Sequence, residues 1–395
     1  MIKILYIDVN CKGSSTGDIV YSLHSQCIEN SIDSAVCYGR GRKIKEHNVY
    51  KFGLDFETYL HALLTRLTGY TGCFSFFSTQ RLIKFIDCFN PQIIHIHELH
   101  AYFVNVSKLL NYLKKKKIKT VFTNHCEFIY TGKCGHAKKC LRYSKQCGSC
   151  PELHNYPSSL FFDRTKNMLK TKRAIFENWE ECVFVSPSQW LNSRIDYSFL
   201  KNKKRFVIHN GIDVKSFTFE KKAKSSNKAK TILSVAPNIM SDLKGGERII
   251  KLARLFEGQN VEFVLVGDTN NYSKKIPSNV KIYPLVSNKA QLIDFYQKSD
   301  LFVICSSFEN FPTTCIEAQC CGLPVCGFDV GGVSETILPG NGFTVEYGDI
   351  NAMKMMIEKM LKSNFDRKSI SIKSKNEFSN KKMFDNYLQL YKTLI

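Results

Sequence analysis

Short apolar runs of strand length alternate with helix-like stretches along this whole chain, and they do so in two series. In the first half the runs lie near 2–8, 33–38, 92–97, 119–124 and 182–186. In the second they lie near 231–236, 261–266, 280–283, 300–304, 324–328 and 342–345. Strands separated by helices predict parallel sheets covered on both faces, because a parallel pair needs a long crossover between its members. The 395 residues suffice for two such domains. The chain is therefore expected to be α/β, with two Rossmann-like, doubly wound domains. A first domain over 1–208 leads to a hinge over 209–230, where the Asn210-Gly211 turn signal precedes a Lys/Ser-rich stretch of linker composition. A second domain follows over 231–375. The segment 376–395 carries Phe378, Met383, Phe384, Tyr387, Leu388, Leu390, Tyr391 and Leu394 at amphipathic-helix spacing.

The run Glu309-Asn310-Phe311-Pro312-Thr313-Thr314-Cys315-Ile316-Glu317 follows one of these strands and opens a helix. A helix N-terminus offers free N–H groups and partial positive charge, which suits a diphosphate. A carboxylate further along the helix can accept hydrogen bonds from ribose hydroxyls. Thr313 and Thr314 can supply donors to phosphate, whereas Pro312 has no N–H. Next come the strand near 324–328 and a Gly331-Gly332 turn, where backbone can approach a ligand closely. After the strand near 231–236, Lys244-Gly245 stands at a helix start. A lysine is disfavoured there by the dipole, so a phosphate-neutralising role is the better reading. In the first half, the loop Asn10 to Ile19 holds Gly13 and Gly17 but lacks G-x-G-x-x-G spacing, which counts against NAD or FAD. His95, His97 and His100 surround the end of one strand, and His125 follows the next. Ligands of parallel sheets bind at carboxyl strand ends. His95 and His97 alternate along their strand, so at least one belongs to buried structure.

The order of strand, E-x7-E helix, G-x-P-V strand and G-G-x-x-E over nearly forty residues resembles the retaining glycosyltransferases of family 4, which adopt the GT-B fold. Val207 to Phe217 resembles their N-G-x-D hinge, and Ile93 to Phe103 their H-x-H pattern. The resemblance implies two domains facing a cleft, with the last helix crossing back to the first. It implies that Glu317 binds ribose and Glu309 faces the donor sugar. Lys244 stabilises the leaving diphosphate, and Gly13 and Gly17 let the first loop approach the donor phosphates. His100 and His125 belong to the acceptor side, His125 with a catalytic part. The family's usual Arg after the 231–236 strand is missing, and Pro237-Asn238 stand near its place. The nucleotide base is placed near Pro284-Leu285-Val286 by position alone. The implied reaction moves a sugar from a UDP- or GDP-sugar to a hydroxyl of a glycan or lipid-linked glycan, with no metal required.

Cys134, Cys140, Cys147 and Cys150 share one polar loop in the insert at about 126–157, with the spacing C-x5-C-x6-C-x2-C. Four thiolates suit a closed, structural zinc site. His136 is a spare ligand, and a reduced loop without metal is the alternative. A similar insert with C-x2-C-P and Tyr156-Pro157 marks bacterial polysaccharide-type members of the resembled family. Most of the cysteines are scattered in strands and helices, among them Cys27, Cys37, Cys182, Cys305 and Cys326, and read as small buried hydrophobes. The net charge of +21 admits an anionic membrane surface as partner. Lys114 to Lys117 reads as a solvated helix end or as a contributor to membrane docking. No apolar run approaches a membrane span, and the start lacks a signal-peptide core, so a cytoplasmic place, peripheral on the inner membrane face, is expected. Another GT-B enzyme, such as an epimerase or phosphorylase, is the nearest rival. A zinc-stabilised nucleic-acid-binding protein is the distant one, and nucleic acid is not an expected partner.

Overall fold

A computed structural model describes residues 2–220, 229–269, 272–286 and 288–395. Residues 221–228 of the expected hinge lie outside the described residues. The chain divides into two compact units. One gathers the chain up to His209 together with 384–395, and the other holds Asn210–Met383.

The first unit is built on β1 (Lys3–Asp8), β2 (Asp33–Tyr38), β3 (Val49–Lys51), β4 (Ile93–Ile96), β5 (Lys119–Thr123), β6 (Cys182–Ser186) and β7 (Arg205–Val207). They form one sheet in the order β3-β2-β1-β4-β5-β6-β7, and every pair is parallel. Order reverses between β1 and β4, which opens a crevice at their carboxyl ends. The second unit has β8 (Lys230–Asn238), β9 (Val261–Asp268), β10 (Val280–Tyr283), β11 (Leu301–Ile304), β12 (Val325–Phe328) and β13 (Gly342–Val345). Their order is β10-β9-β8-β11-β12-β13, again parallel, with the reversal between β8 and β11. The strand runs read from the sequence all appear. The edge strands β3 and β7 do not announce themselves, since each has three residues and none of them is buried.

The central strands β4, β6, β11 and β12 are buried throughout, which is why they read as unbroken apolar runs. Helices flank both sheets. Ser14 caps the helix Ser15–Glu29 by accepting from the Gly17 N–H at 3.1 Å. Gly17 therefore belongs to the first turn of that helix and not to the loop before it. A Cβ there would meet Ser14 Oγ at 2.9 Å and the Lys12 nitrogen at 3.1 Å, so local packing already calls for glycine. Lys114 stands in the last turn of the helix Val106–Lys116 but is not simply solvated, because its ammonium donates to the Ile175 and Glu177 carbonyls at 2.8 and 2.6 Å.

The terminal segment is two helices, Arg367–Glu377 and Asn380–Leu394, interrupted at Phe378. The break is used by the segment after His209: the Phe378 carbonyl accepts from the Ile212 N–H at 2.9 Å, and Ile212 bridges Ser379. The later turns of the last helix pack into the first unit. Tyr387 meets Thr123 Oγ1 at 2.8 Å and Tyr391 meets His95 Nδ1 at 2.6 Å, both fully buried.

Candidate active site

In the second unit the chemistry gathers at the carboxyl ends of β8, β11 and β12, beside the reversal in strand order. The turn after β8 brings Lys244 back to the loop after β11, where its ammonium lies 2.7 Å from Glu309 Oε1. Ser306 donates to the same oxygen at 2.7 Å. The two loops are stitched together by the Ser307 N–H on the Leu243 carbonyl at 2.9 Å. Two glycines make the close approach possible. Gly245 has φ +80° and a Cβ there would fall 1.9 Å from the Cys305 carbonyl oxygen. Gly331 has φ +60° and a Cβ there would fall 1.8 Å from the Glu309 carbonyl oxygen. That same carbonyl accepts from the Gly332 N–H at 2.9 Å. The Gly-Gly turn thus clamps the backbone of Glu309.

Glu309 precedes the helix Thr313–Cys320, with Thr313 and Thr314 half-buried in its first turn and Glu317 in its second. Glu317 Oε2 accepts from Tyr296 Oη at 2.9 Å, and burial beside this carboxylate raises the tyrosine well above its ordinary value. Lys244 lies before the helix Gly246–Arg254 and does not open it, since Gly245 is the N-cap. A further cation of this helix, Arg248, is committed. Its Nε donates to the Cys305 carbonyl at 2.8 Å and its guanidinium pairs with Asp242 at 3.2 Å.

In the first unit, Asp8 ends β1, His97 and Glu98 follow β4, and His125 and Cys126 follow β5. Asp8 Oδ1 accepts from the Glu98 N–H at 3.1 Å. His97 Nδ1 and His125 Nε2 are 2.9 Å apart, with stacked rings. Glu98 Oε2 lies 3.1 Å from both the Cys126 thiol and His100 Nε2. These three donor atoms fall within 4.8 Å of one another, a spacing a shared cation could use and that shared protons already explain. Burial pushes Glu98 up to about 8 and Asp8 up to about 7, and draws His100 and His125 down to about 4. Burial thus favours neutral imidazoles and, most at Glu98, a protonated carboxyl, a set able to donate to and accept from sugar hydroxyls. His95 bonds Tyr391 and Thr123 on its two ring nitrogens and is structural. Gly13 sits in the loop after β1 with φ +76° and open space at its Cβ position.

The description "Glycosyltransferase Family 4" matches residues 19–216, and "Glycosyl transferases group 1" matches 216–377. The chain belongs to glycosyltransferase family 4. Among relatives of this family-4 chain is the putative colanic acid biosynthesis glycosyl transferase WcaC of Escherichia coli K12, 22% identical over the full length of both. The capsular polysaccharide biosynthesis glycosyltransferase CapM of Staphylococcus aureus is 24% identical over 53% of this chain and 61% of its own. Sucrose-phosphate synthase of Thermosynechococcus elongatus superposes with a TM-score of 0.70 at 15% identity, over 100% of this chain and 99% of its own. Anabaena HepE, solved with UDP-glucose, superposes at 0.64 and 15% identity over the whole of both chains. The fold is GT-B.

The cysteine loop of this family-4 protein lies in the first unit. Cys134, Cys140, Cys147 and Cys150 line one small cavity together with Lys133. Cys134 hydrogen-bonds Cys150, which lowers the Cys150 thiol to about 6. The Cys150 N–H donates to Asp163 at 2.7 Å. The thiolate is favoured at Cys150, whereas the same hydrogen bond, with burial, pushes the Cys134 thiol up, and burial pushes the Cys147 thiol up. Among the described residues the donor set gathered within 4.8 Å is Glu98, His100 and Cys126 and not these four sulfurs. Sequence reasoning missed Asp8, Glu98, Cys126, Ser306 and Tyr296. Strand-end position could have marked the first three, because each sits at or just after the end of a central strand.

Proposed function

We propose that this family-4 glycosyltransferase is a retaining enzyme that transfers a sugar from a UDP- or GDP-sugar to a hydroxyl of a glycan or lipid-linked glycan in surface polysaccharide synthesis. The observation that carries the reading is the Lys244–Glu309 pair, clamped beside the N-terminus of Thr313–Cys320 at the strand-order reversal. An ammonium and helix N–H groups at one point suit a departing nucleoside diphosphate. Glu317 accepts from the ribose, and Glu309 turns to the donor sugar once diphosphate engages Lys244. The family resemblance assigns Gly13, with its open Cβ position, to the donor phosphates. The acceptor hydroxyl attacks from the face that the leaving group departs, so the anomeric configuration is kept. His125, neutral and backed by His97, orients or accepts the proton of the reacting hydroxyl, and His100 holds the acceptor. No metal is needed at this step, because Lys244 and the helix carry the charge. Zinc on Cys134, Cys140, Cys147 and Cys150 would serve structure alone. The names of the polysaccharide relatives support the acceptor class.

The test is thermal stabilisation by UDP, GDP, ADP and CDP on wild type and Glu317→Ala. A ligand that binds only the folded state must raise stability. Stabilisation by one nucleotide, lost in the variant, is expected and names the donor. Absence of stabilisation by all four in a folded protein overturns the reading. Product analysis then separates a new α- or β-glycoside from a free epimer or sugar phosphate.

A further inference from the structure

The helix Asp55–Thr68 is built inside out. Its buried side chains are Glu57, Thr58, His61 and Thr65. Its outward face carries Phe56, Tyr59, Leu60, Leu63 and Leu67, all exposed, with Tyr59 at 74%. Positions 56, 60, 63 and 67 follow the i, i+4, i+7, i+11 pattern of one continuous stripe. The inward polar groups are specifically accommodated. Glu57 receives the Phe77 and Ser78 N–H groups at 2.9 and 2.7 Å. His61 pairs with Ser75 Oγ at 2.8 Å and accepts from the Gly72 N–H at 3.1 Å. The orientation is therefore fixed by the fold, and the apolar stripe faces outward by construction.

Two more segments extend the stripe. The Glu57 bonds hold the start of the helix Phe76–Phe89 alongside, and there Phe76 and Phe77 are 54% and 69% exposed. At the other end the Leu160 N–H donates to the Arg66 carbonyl at 2.8 Å, which brings in Leu160, Phe161 and Phe162. Those three are exposed as well, Phe161 at 68%. A contiguous apolar surface of this kind marks a docking site.

Charge selects the partner. Arg66 is exposed on the stripe's own helix. The Arg164 guanidinium lies over the Phe162 and Tyr70 rings at 5.3 and 5.6 Å. Lys166 and Lys170 stand exposed on the following helix, Thr165–Phe176. The nearby acids are occupied: Asp55 pairs with Lys51 at 2.8 Å, Glu57 is buried, and Asp163 accepts from the Cys150 and Thr165 N–H groups. An apolar face fringed by unopposed cations is complementary to a bilayer with anionic headgroups. We propose that this face, centred on Leu63 and Phe161, seats the protein on an anionic lipid surface. The inference deepens the proposed lipid-linked acceptor and rests on that reading for its purpose. Tyr156, just before the Leu160–Phe162 segment, packs its ring edge-on against His100 at 6.1 Å and Tyr102 at 5.7 Å. The chain from the docking face to Tyr156 thus leads toward His100.

The test is flotation of the full chain with phosphatidylethanolamine vesicles, with and without phosphatidylglycerol, in the absence of any sugar donor. Wild type is expected to float with the phosphatidylglycerol vesicles and to lose binding at high salt. The Leu63→Asp/Phe161→Asp double variant is expected to bind about tenfold more weakly or less, at an unchanged melting temperature, because both residues are exposed. A Lys115→Ala/Lys117→Ala variant is expected to stay within about threefold of wild type, since those lysines lie outside the patch. Wild type that fails to float, or a double variant that floats equally well, overturns the proposal. So does a double variant that abolishes a self-association seen by light scattering while wild type ignores vesicles, which would assign the face to a second copy. Nucleotide stabilisation reads the second unit separately, so loss of docking and loss of the transferase reading are told apart.

Discussion

Replacing Lys244 by methionine keeps the length of the side chain and removes its charge. Glu309 is then left with Ser306 as the remaining donor to its Oε1. The side chains of the pair are 28% and 12% exposed, so the contact lies between a surface ion pair and a buried one. Exposed pairs contribute about 0–1 kcal/mol, while orphaning a fully buried charge costs about 3–5 kcal/mol. With Ser306 still in place, a loss of about 1–2 kcal/mol is expected, or a fall of about 2–8 °C in the melting temperature of a unit this size. Turnover should fall further, by about 10²–10³, as for removal of one charge-stabilising donor. The two effects separate in the Lys244→Met/Glu309→Gln double variant. It has no orphaned carboxylate, so its stability returns to near wild type while turnover stays lost. Glu309→Gln alone removes the competitor for the ammonium, so a nucleoside diphosphate should bind severalfold more tightly even as transfer slows. Calorimetric melts, nucleotide titration and initial rates with a radiolabelled donor read all three variants. Wild-type turnover in Lys244→Met, or a double variant less stable than the single, would refute the reasoning.

The pH profile of stability follows from the cluster at the end of β1, β4 and β5. His95, His97, His100 and His125 stay neutral in the fold and bind protons when unfolded below about 6.5, so stability rises with pH up to that point. Asp8 and Glu98 act oppositely: they hold protons in the fold up to about 7 and about 8, so their contribution falls as pH climbs from the ordinary carboxylate range to those values. The histidines outnumber the acids, which puts the maximum of the first unit near pH ~6.5, and Glu98→Gln should flatten the alkaline side in thermal melts. Gly331→Ala forces a Cβ into the Glu309 carbonyl and should cost at least about 2 kcal/mol and weaken nucleotide binding, both read in one titrated melt. Elemental analysis of the purified protein should find one zinc per chain, absent from Cys147→Ser/Cys150→Ser, which should also melt lower.

The parts legible in the sequence share a physical reason. Strands such as β4 and β11 are buried on both faces, so their apolar runs are unambiguous. Lys244, Glu309 and Glu317 sit in two short loop–helix segments, where spacing along the chain already encodes spacing in the fold. The cluster of Asp8, Glu98 and Cys126 is different. Topology alone joins residues from three strand ends, and no local spacing records that. Tyr296 reaches Glu317 from the preceding helix for the same reason. The helix Asp55–Thr68 shows a further limit: periodicity reveals an apolar face without saying which face turns inward.

The burial of Tyr387 and Tyr391 against Thr123 and His95 bears on the order of events at the ribosome. The first unit borrows its final core pieces from the far end of the chain. Asn210–Met383 forms a compact unit from one continuous stretch of chain, whereas the earlier-made unit must wait, with β4 and β5 incompletely covered, until residues 384–395 are free. Synthesis and completion therefore run in opposite orders, and a nascent chain stalled before Phe384 exposes the face that the last helix would close.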